Sequence, residues 1–263
     1  MQKTGGTHIA SLLSNHFNGY SSGKKHDWLT DYDTEKYILG SIRNPWDWYV
    51  SLWASGIENR GGLYKRLTSS RVKRFKRYLR RGNLKSIRNV INNPSGLWSS
   101  TYQDYKDPMS FRDWLKLVCS PYRKQELGEG YHESSISNFA GFMTYRYCCR
   151  YLKNWALNEN EIKDIYTLIQ YDNDNNLLNF TIKTEFLESD LVNALKLAGY
   201  RIDNAVIKQI YNSSQKKINT SKHEKSSYYY DDETIKLVEE KERFIIEKYG
   251  YTPPFLKASA QMH

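Results

Sequence analysis

Residues 37–56 impose the tightest local constraint on this chain. Tyr37-Ile38-Leu39-Gly40-Ser41-Ile42-Arg43 is a short apolar run that predicts a buried strand. Asn44-Pro45 follows at once and supplies an N-cap and a first-turn proline, predicting a helix that ends near Gly56. Arg43 therefore sits at the carboxyl end of a strand, with a helix opening beside it.

Other segments repeat the alternation. Leu177 to Lys183 predicts a second strand, and Leu191, Ala194, Leu195 and Ala198 form an i, i+3, i+4, i+7 stripe closed by Gly199. Asn158 with Glu161 forms a capping-box pattern for a helix running to about Gln170, and Asp231-Asp232-Glu233 opens a last helix that Gly250 and Pro253 stop. Strands alternating with helices predict an α/β fold: a mainly parallel sheet flanked by helices on both faces. With 263 residues, 39% hydrophobic and 14% aromatic, the chain can bury one sizeable core, and we read residues 1–263 as a single domain.

Charge is unevenly placed. The net charge of +10 predicts a partner or substrate that carries negative charge. No acidic residue occurs from Asn59 to Gln103, while twelve Lys and Arg fall between Arg60 and Arg88. Within that block Val72, Phe75, Tyr78 and Leu79 recur at helical intervals and leave a continuous cationic face. Residues 57–135 thus read as a basic helical insertion, or a lid over the acceptor side. Three cysteines, Cys119, Cys148 and Cys149, lack metal or redox spacing. The absence of a long apolar run or a signal-like leader predicts a cytoplasmic chain with no membrane span.

The segment with the clearest chemistry is Lys3-Thr4-Gly5-Gly6-Thr7-His8, immediately before the helical face Ile9, Leu12, Leu13 and Phe17. Glycines at a helix N-terminus let backbone amides approach an oxyanion, with Thr4 and Thr7 adding hydroxyls and Lys3 a charge. A glycine pair before a helix also occurs as a plain structural turn. The lysine precedes the glycines, which disfavours an ordinary ATP-binding loop, whose pattern is G-x-x-x-x-G-K-[ST]. A second element, Arg43-Asn44-Pro45 with Ser51 eight residues after Arg43, offers contacts for another phosphate.

With these two elements the chain resembles the sulfotransferases that use 3′-phosphoadenosine 5′-phosphosulfate (PAPS), especially their carbohydrate-type branch. The family's 5′-phosphosulfate loop looks like K-T-G-G-T and its 3′-phosphate element like R-[DN]-P-x-x-x-x-x-S, patterns that stand here at Lys3–Thr7 and Arg43–Ser51. Glu185-Phe186-Leu187 is similar to the family's E-x-L segment. Asn219-Thr220-Ser221, followed by Tyr228-Tyr229-Tyr230 and Tyr249-Gly250-Tyr251, is similar to its closing N-x-S loop, tyrosine pair and aromatic-Gly-Tyr end. The likeness covers residues 1–56 and 137–256. It departs from the family ahead of Lys3, where only Met1 and Gln2 stand in place of a hydrophobic strand.

The resemblance implies a P-loop NTPase-like sulfotransferase fold and transfer of a sulfuryl group from PAPS to an acceptor hydroxyl or amine, leaving 3′,5′-adenosine bisphosphate. Lys3 would act at the oxygen bridging phosphate and sulfate, where charge accumulates. Gly5, Gly6 and Thr7 would hold the 5′-phosphate, His8 would donate to the phosphosulfate, and Arg43 and Ser51 would hold the 3′-phosphate. Lys222 and Lys225, in the loop that closes over the nucleotide, would add charge there. His26, between the two motifs and beside Asp27, is the first choice for the base that takes the acceptor's proton; Glu185 is a second, although a structural role suits it better. Trp28 is a candidate to stack on adenine, whereas Trp46, Trp48 and Trp53 read as core. No metal is expected. The basic block suits an acceptor such as an anionic glycan. It would also suit a nucleic-acid-binding protein, which would need no discrete Lys3, Arg43 or Ser51. A catalytically inactive nucleotide-binding relative is the other alternative.

Overall fold

A computed structural model describes residues 1–19, 36–70, 76, 79–80, 96–213 and 221–254. Most of these residues are helical, around one parallel strand pair. Helix α1 (Gly6–Phe17) leads to strand β1 (Leu39–Ile42) and α2 (Pro45–Ile57), then α3 (Gly62–Leu67), α4 (Gly96–Ser100), α5 (Pro108–Cys119) and α6 (Lys124–Leu127). There follow α7 (Phe142–Tyr151), α8 (Trp155–Asn158), α9 (Ile165–Asn175), strand β2 (Phe180–Lys183), α10 (Leu187–Leu197) and α11 (Asn204–Ser213). Helices α12 (Ser226–Tyr229), α13 (Asp232–Lys241) and α14 (Arg243–Tyr249) complete the order.

Strands β1 and β2 pair in parallel, Leu39 opposite Phe180 and Ile42 opposite Lys183. The alternation of strands and helices is thus realised in a coarser form than expected: the described sheet has two strands, and most of the other described residues are helical. A side chain occupies the outer edge of β1. The Tyr151 hydroxyl accepts from the Ser41 amide at 3.1 Å and donates to the Ser41 carbonyl at 2.8 Å, satisfying backbone groups that a further strand would otherwise pair.

The two strands separate two apolar clusters. Ile42 belongs to the larger, with Trp46, Trp48, Tyr49 and Trp53 of α2 and Tyr147 of α7. Ile182 belongs to the smaller, with Leu12 of α1, Leu187, Leu191 and Leu195 of α10 and Ile210 of α11. The tryptophans of α2 are core, as expected. So are Leu63, Leu67, Trp98, Phe111, Trp114 and Leu127, which lie in the segment read as an insertion; its described parts at 57–70 and from residue 96 on are built into the main core. Of the basic stretch 71–81 only Lys76, Leu79 and Arg80 are described, all helical and exposed.

Local signals account for most element boundaries. Asn44 caps α2, its side chain accepting from the Trp46 amide at 3.1 Å, with Pro45 next. Asp231 caps α13 through a capping box with Thr234. Two expectations need correction. The cap at Asn158 and Glu161 does not form. Asn158 donates instead to the Asn154 carbonyl and the Tyr171 hydroxyl, and the helix opens at Ile165 behind a capping box of Asp164 and Thr167. The last helix is two helices, broken at Glu242. The Glu242 carboxylate turns into the core, accepts from the Thr144 amide at 2.8 Å, the Met143 amide at 3.1 Å and the Thr144 hydroxyl at 2.7 Å, and also from Tyr49. It thereby satisfies the open N-terminus of α7.

Candidate functional site

The loop at residues 1–5 is fixed from two sides before it meets α1. The Thr4 hydroxyl is wholly buried, donates to the Met1 carbonyl at 2.8 Å and lies 2.7 Å from the Ser41 hydroxyl, tying the loop to β1. On the α2 side, the Trp48 indole donates to the Gln2 carbonyl at 2.8 Å. Gly5 adopts φ +77°, and a Cβ there would stand 2.4 Å from Leu187 Cδ1, so the close packing of loop on α10 requires glycine. Gly6 is exposed with nothing within 4 Å of its Cβ position, leaving the head of α1 open to a ligand.

Lys3 stands at the centre of a cationic group. Its backbone lies in the left-handed region at φ +63°, a conformation that costs a non-glycine residue about 1–2 kcal/mol. Such strain persists where surrounding structure imposes it. The ammonium donates to the Ser221 hydroxyl at 3.5 Å. Burial, then the charges of Arg43 and Arg60, bring its pKa down to about 8. Ser221 in turn donates to the Ser51 carbonyl at 3.4 Å, which joins the 221–225 segment to α2.

Arg43 emerges from β1 partly buried, and among the described residues its guanidinium makes no hydrogen bond or ion pair. Burial disfavours its charge; Asp47 and Glu185 offset this only in part. Both carboxylates are otherwise engaged. Glu185 accepts from the Asn44 amide at 2.7 Å and from the Tyr251 hydroxyl at 3.4 Å, and Asp47 accepts from Ser226. Glu185 thus holds the start of α2 to Tyr251, just beyond α14, a structural role. Ser51 is buried, and its hydroxyl makes no hydrogen bond among the described residues.

The structure therefore gathers Lys3, Arg43, Ser51 and the head of α1. Other expected members are placed differently. His8 places its Nε2 3.2 Å from Glu188 of α10 and 3.3 Å from Ser213 of α11, while its buried Nδ1 has no hydrogen-bond partner among the described residues. The Thr4 hydroxyl is likewise taken by the fold, and Thr7 is partly buried. Lys222 bonds Glu58 through its backbone amide, and its ammonium lies 4.9 Å from the centre of the Tyr105 ring. Lys225 heads α12 with an exposed side chain. His26, Asp27, Trp28, Asn219 and Thr220 lie outside the described residues.

Sequence reasoning passed over Ser221 and His223 as site residues. Their signal was alternation: in an extended segment residues 221 and 223 face one way, and here both are buried or partly buried while Lys222 and Glu224 are exposed. Among the described residues no cluster of His, Cys, Asp and Glu is placed to hold a metal ion, and no helix is long and apolar enough to cross a membrane.

Comparison of the chain with family models, with curated proteins and with solved structures gave no match.

Proposed function

We propose that this protein is a PAPS-dependent sulfotransferase. The observation that carries the reading is the meeting of Lys3 and Arg43, drawn from motifs forty residues apart, with the Ser51 hydroxyl and the open head of α1, and with no carboxylate in ion-pair contact with either cation among the described residues. Cations without ion-pair partners among the described residues, beside the Ser51 hydroxyl and the head of α1, fit a ligand with more than one anionic group. A 3′,5′-bisphosphorylated nucleoside has that form.

In this reading the head of α1, from Gly5 to Thr7, takes the 5′-phosphate, and Arg43 with Ser51 takes the 3′-phosphate. Bound PAPS supplies an activated sulfuryl group. Lys3 offers its ammonium where negative charge grows on the bridging oxygen as that group departs, an interaction stronger in the transition state than before it. The strained backbone of Lys3 and the buried Thr4–Ser41 contact keep that ammonium aimed. The acceptor carries a free hydroxyl or amine, and the run of positive charge in residues 60–88 favours an anionic glycan. His26 remains the proposed base for the acceptor's proton.

Calorimetry with 3′,5′-adenosine bisphosphate, 5′-AMP and ATP tests this without knowledge of the acceptor. The bisphosphate is expected to bind tightest, and Arg43→Ala to weaken it by about 2–5 kcal/mol while leaving 5′-AMP unchanged. Equal loss for both nucleotides would remove the 3′-phosphate role, and no binding by the folded protein would overturn the proposal.

A further inference from the structure

His223 lies one residue beyond Lys222, in the segment that Ser221 ties to Lys3 and Ser51, and the charges of Arg43 and Lys3 act on it. Its Nδ1 is 2.7 Å from the Glu224 carbonyl oxygen. A carbonyl can only accept, so Nδ1 carries the hydrogen; in the neutral ring Nε2 is then the unprotonated nitrogen. No hydrogen bond to Nε2 is made among the described residues. The ring is thereby held in one tautomer, with a free basic nitrogen.

The charged groups around it come from three elements and its own segment. Arg43 follows β1, Lys3 precedes α1, and Asp47 lies in the first turn of α2. Lys222, Glu224 and Lys225 flank it in sequence, and Glu58 at the end of α2 holds the Lys222 amide at 2.8 Å. Burial acts first, and Arg43 and Lys3 add to it, in holding the imidazole below its usual pKa; the Glu224 bond and Asp47 act the other way. In the free protein the charged form of His223 is therefore disfavoured.

We propose that His223 is a contact of the bound 3′-phosphate and takes up a proton when that group seats. The inference rests on the sulfotransferase reading and adds to it a residue and a regulation by pH. A phosphate dianion beside Arg43 and Ser51 offsets the Arg43 share of the field that disfavours the charged ring. It also offers an acceptor oxygen to Nε2 once that nitrogen is protonated, so proton and nucleotide bind with mutual support. The 5′-phosphate alone, at the head of α1, leaves the Arg43 side unfilled and should not recruit the proton.

The experiment is isothermal calorimetry of 3′,5′-adenosine bisphosphate near pH 7, in buffers of differing ionisation enthalpy, on the whole chain and on His223→Asn. The unaltered protein is expected to take up a large part of one proton more than the variant, with no such difference for 5′-AMP. Its affinity for the bisphosphate should rise as pH falls toward 6, by at most about tenfold per unit, and the variant's should rise less. Tight binding with equal proton counts in the two proteins overturns the role of His223 and leaves the nucleotide site standing. A proton difference that appears equally with 5′-AMP overturns the assignment to the 3′-phosphate. No binding of either nucleotide overturns both.

Discussion

Two arginines in this molecule stand in opposite electrostatic circumstances. Arg146 of α7 has a side chain 2% exposed. It meets Glu129 with both arms of its fork, at 3.0 and 2.6 Å, donates to the Gln2 side chain at 3.0 Å and lies 4.2 Å from the centre of the Phe142 ring. Glu129 is presented by a turn in which Gly128, Glu129 and Gly130 all have positive φ, and Arg66 and Arg150 share the same carboxylate at 3.6 and 3.9 Å. Arg43 has no such partner among the described residues, and the carboxylates nearest it are committed to backbone and hydroxyl donors. Where the fold needs an arginine for its own cohesion it surrounds the fork with acceptors and an aromatic face. On the proposed function, the 3′-phosphate supplies the acceptors that Arg43 lacks among the described residues.

Breaking the satisfied arginine should have the largest effect. Arg146→Ala leaves the partly buried Glu129 with only the longer contacts to Arg66 and Arg150 and opens space against Phe142 and Trp48, and is expected to cost about 2–4 kcal/mol of stability in denaturant unfolding. A loss below about 1 kcal/mol would erase the contrast with Arg43. Gly5→Ala comes next. The left-handed backbone and the contact with Leu187 predict a loss of about 1–3 kcal/mol, accompanied by weaker binding of 3′,5′-adenosine bisphosphate. Adding Leu187→Ala relieves the collision but not the backbone strain. If the double variant regains full affinity, the loop's conformation is not what the site depends on.

What the sequence disclosed divides along similar lines. Asn44-Pro45 and Asp231 announce helix starts because caps act within three residues, and both strands were legible as short apolar runs. The break at Glu242 was not, because its cause is a carboxylate reaching α7, a hundred residues away in sequence. The Asn158 cap failed because Asp164 offers the same chemistry nearer the apolar run, and an aspartate and an asparagine cap about equally well. In the site, Lys3, Gly5 and Arg43 could be named because their chemistry follows from residue type at a strand or helix end. That His8 turns toward α10 and α11, and that Ser221 bridges Lys3 and Ser51, are tertiary facts with no local signature.

The pH behaviour of Lys3 sharpens the contrast by a smaller step. Its folded pKa of about 8 lies below the 10.5 of an unhindered lysine. Between those values the unfolded chain holds a proton that the folded chain lacks, so this residue makes the free protein more stable as pH rises through the window. On the proposed function, a bound bisphosphate is expected to restore the proton. Affinity is therefore expected to fall above about pH 8, by at most about tenfold per unit, and Lys3→Ala should flatten that limb of the profile when calorimetry is extended to pH 10. A profile that keeps its alkaline limb in the variant would place the titrating group elsewhere.

The smallest expected effect is the most discriminating. Arg43→Met replaces an uncompensated guanidinium with a side chain of similar reach that suits partial burial. In the free protein the charge is disfavoured by burial more than Asp47 and Glu185 favour it, so its removal should leave stability unchanged within about 0.5 kcal/mol or raise it. The same substitution is expected to abolish the preference for 3′,5′-adenosine bisphosphate over 5′-AMP. A structural arginine cannot behave in this way: Arg146→Met must lower stability, because Glu129 loses its two closest hydrogen bonds. Unfolding midpoints for Arg43→Met and Arg146→Met, measured side by side, therefore separate an arginine that holds the fold from one with the ligand role proposed for Arg43. A loss of several kcal/mol in Arg43→Met would show that Arg43, too, belongs to the fold.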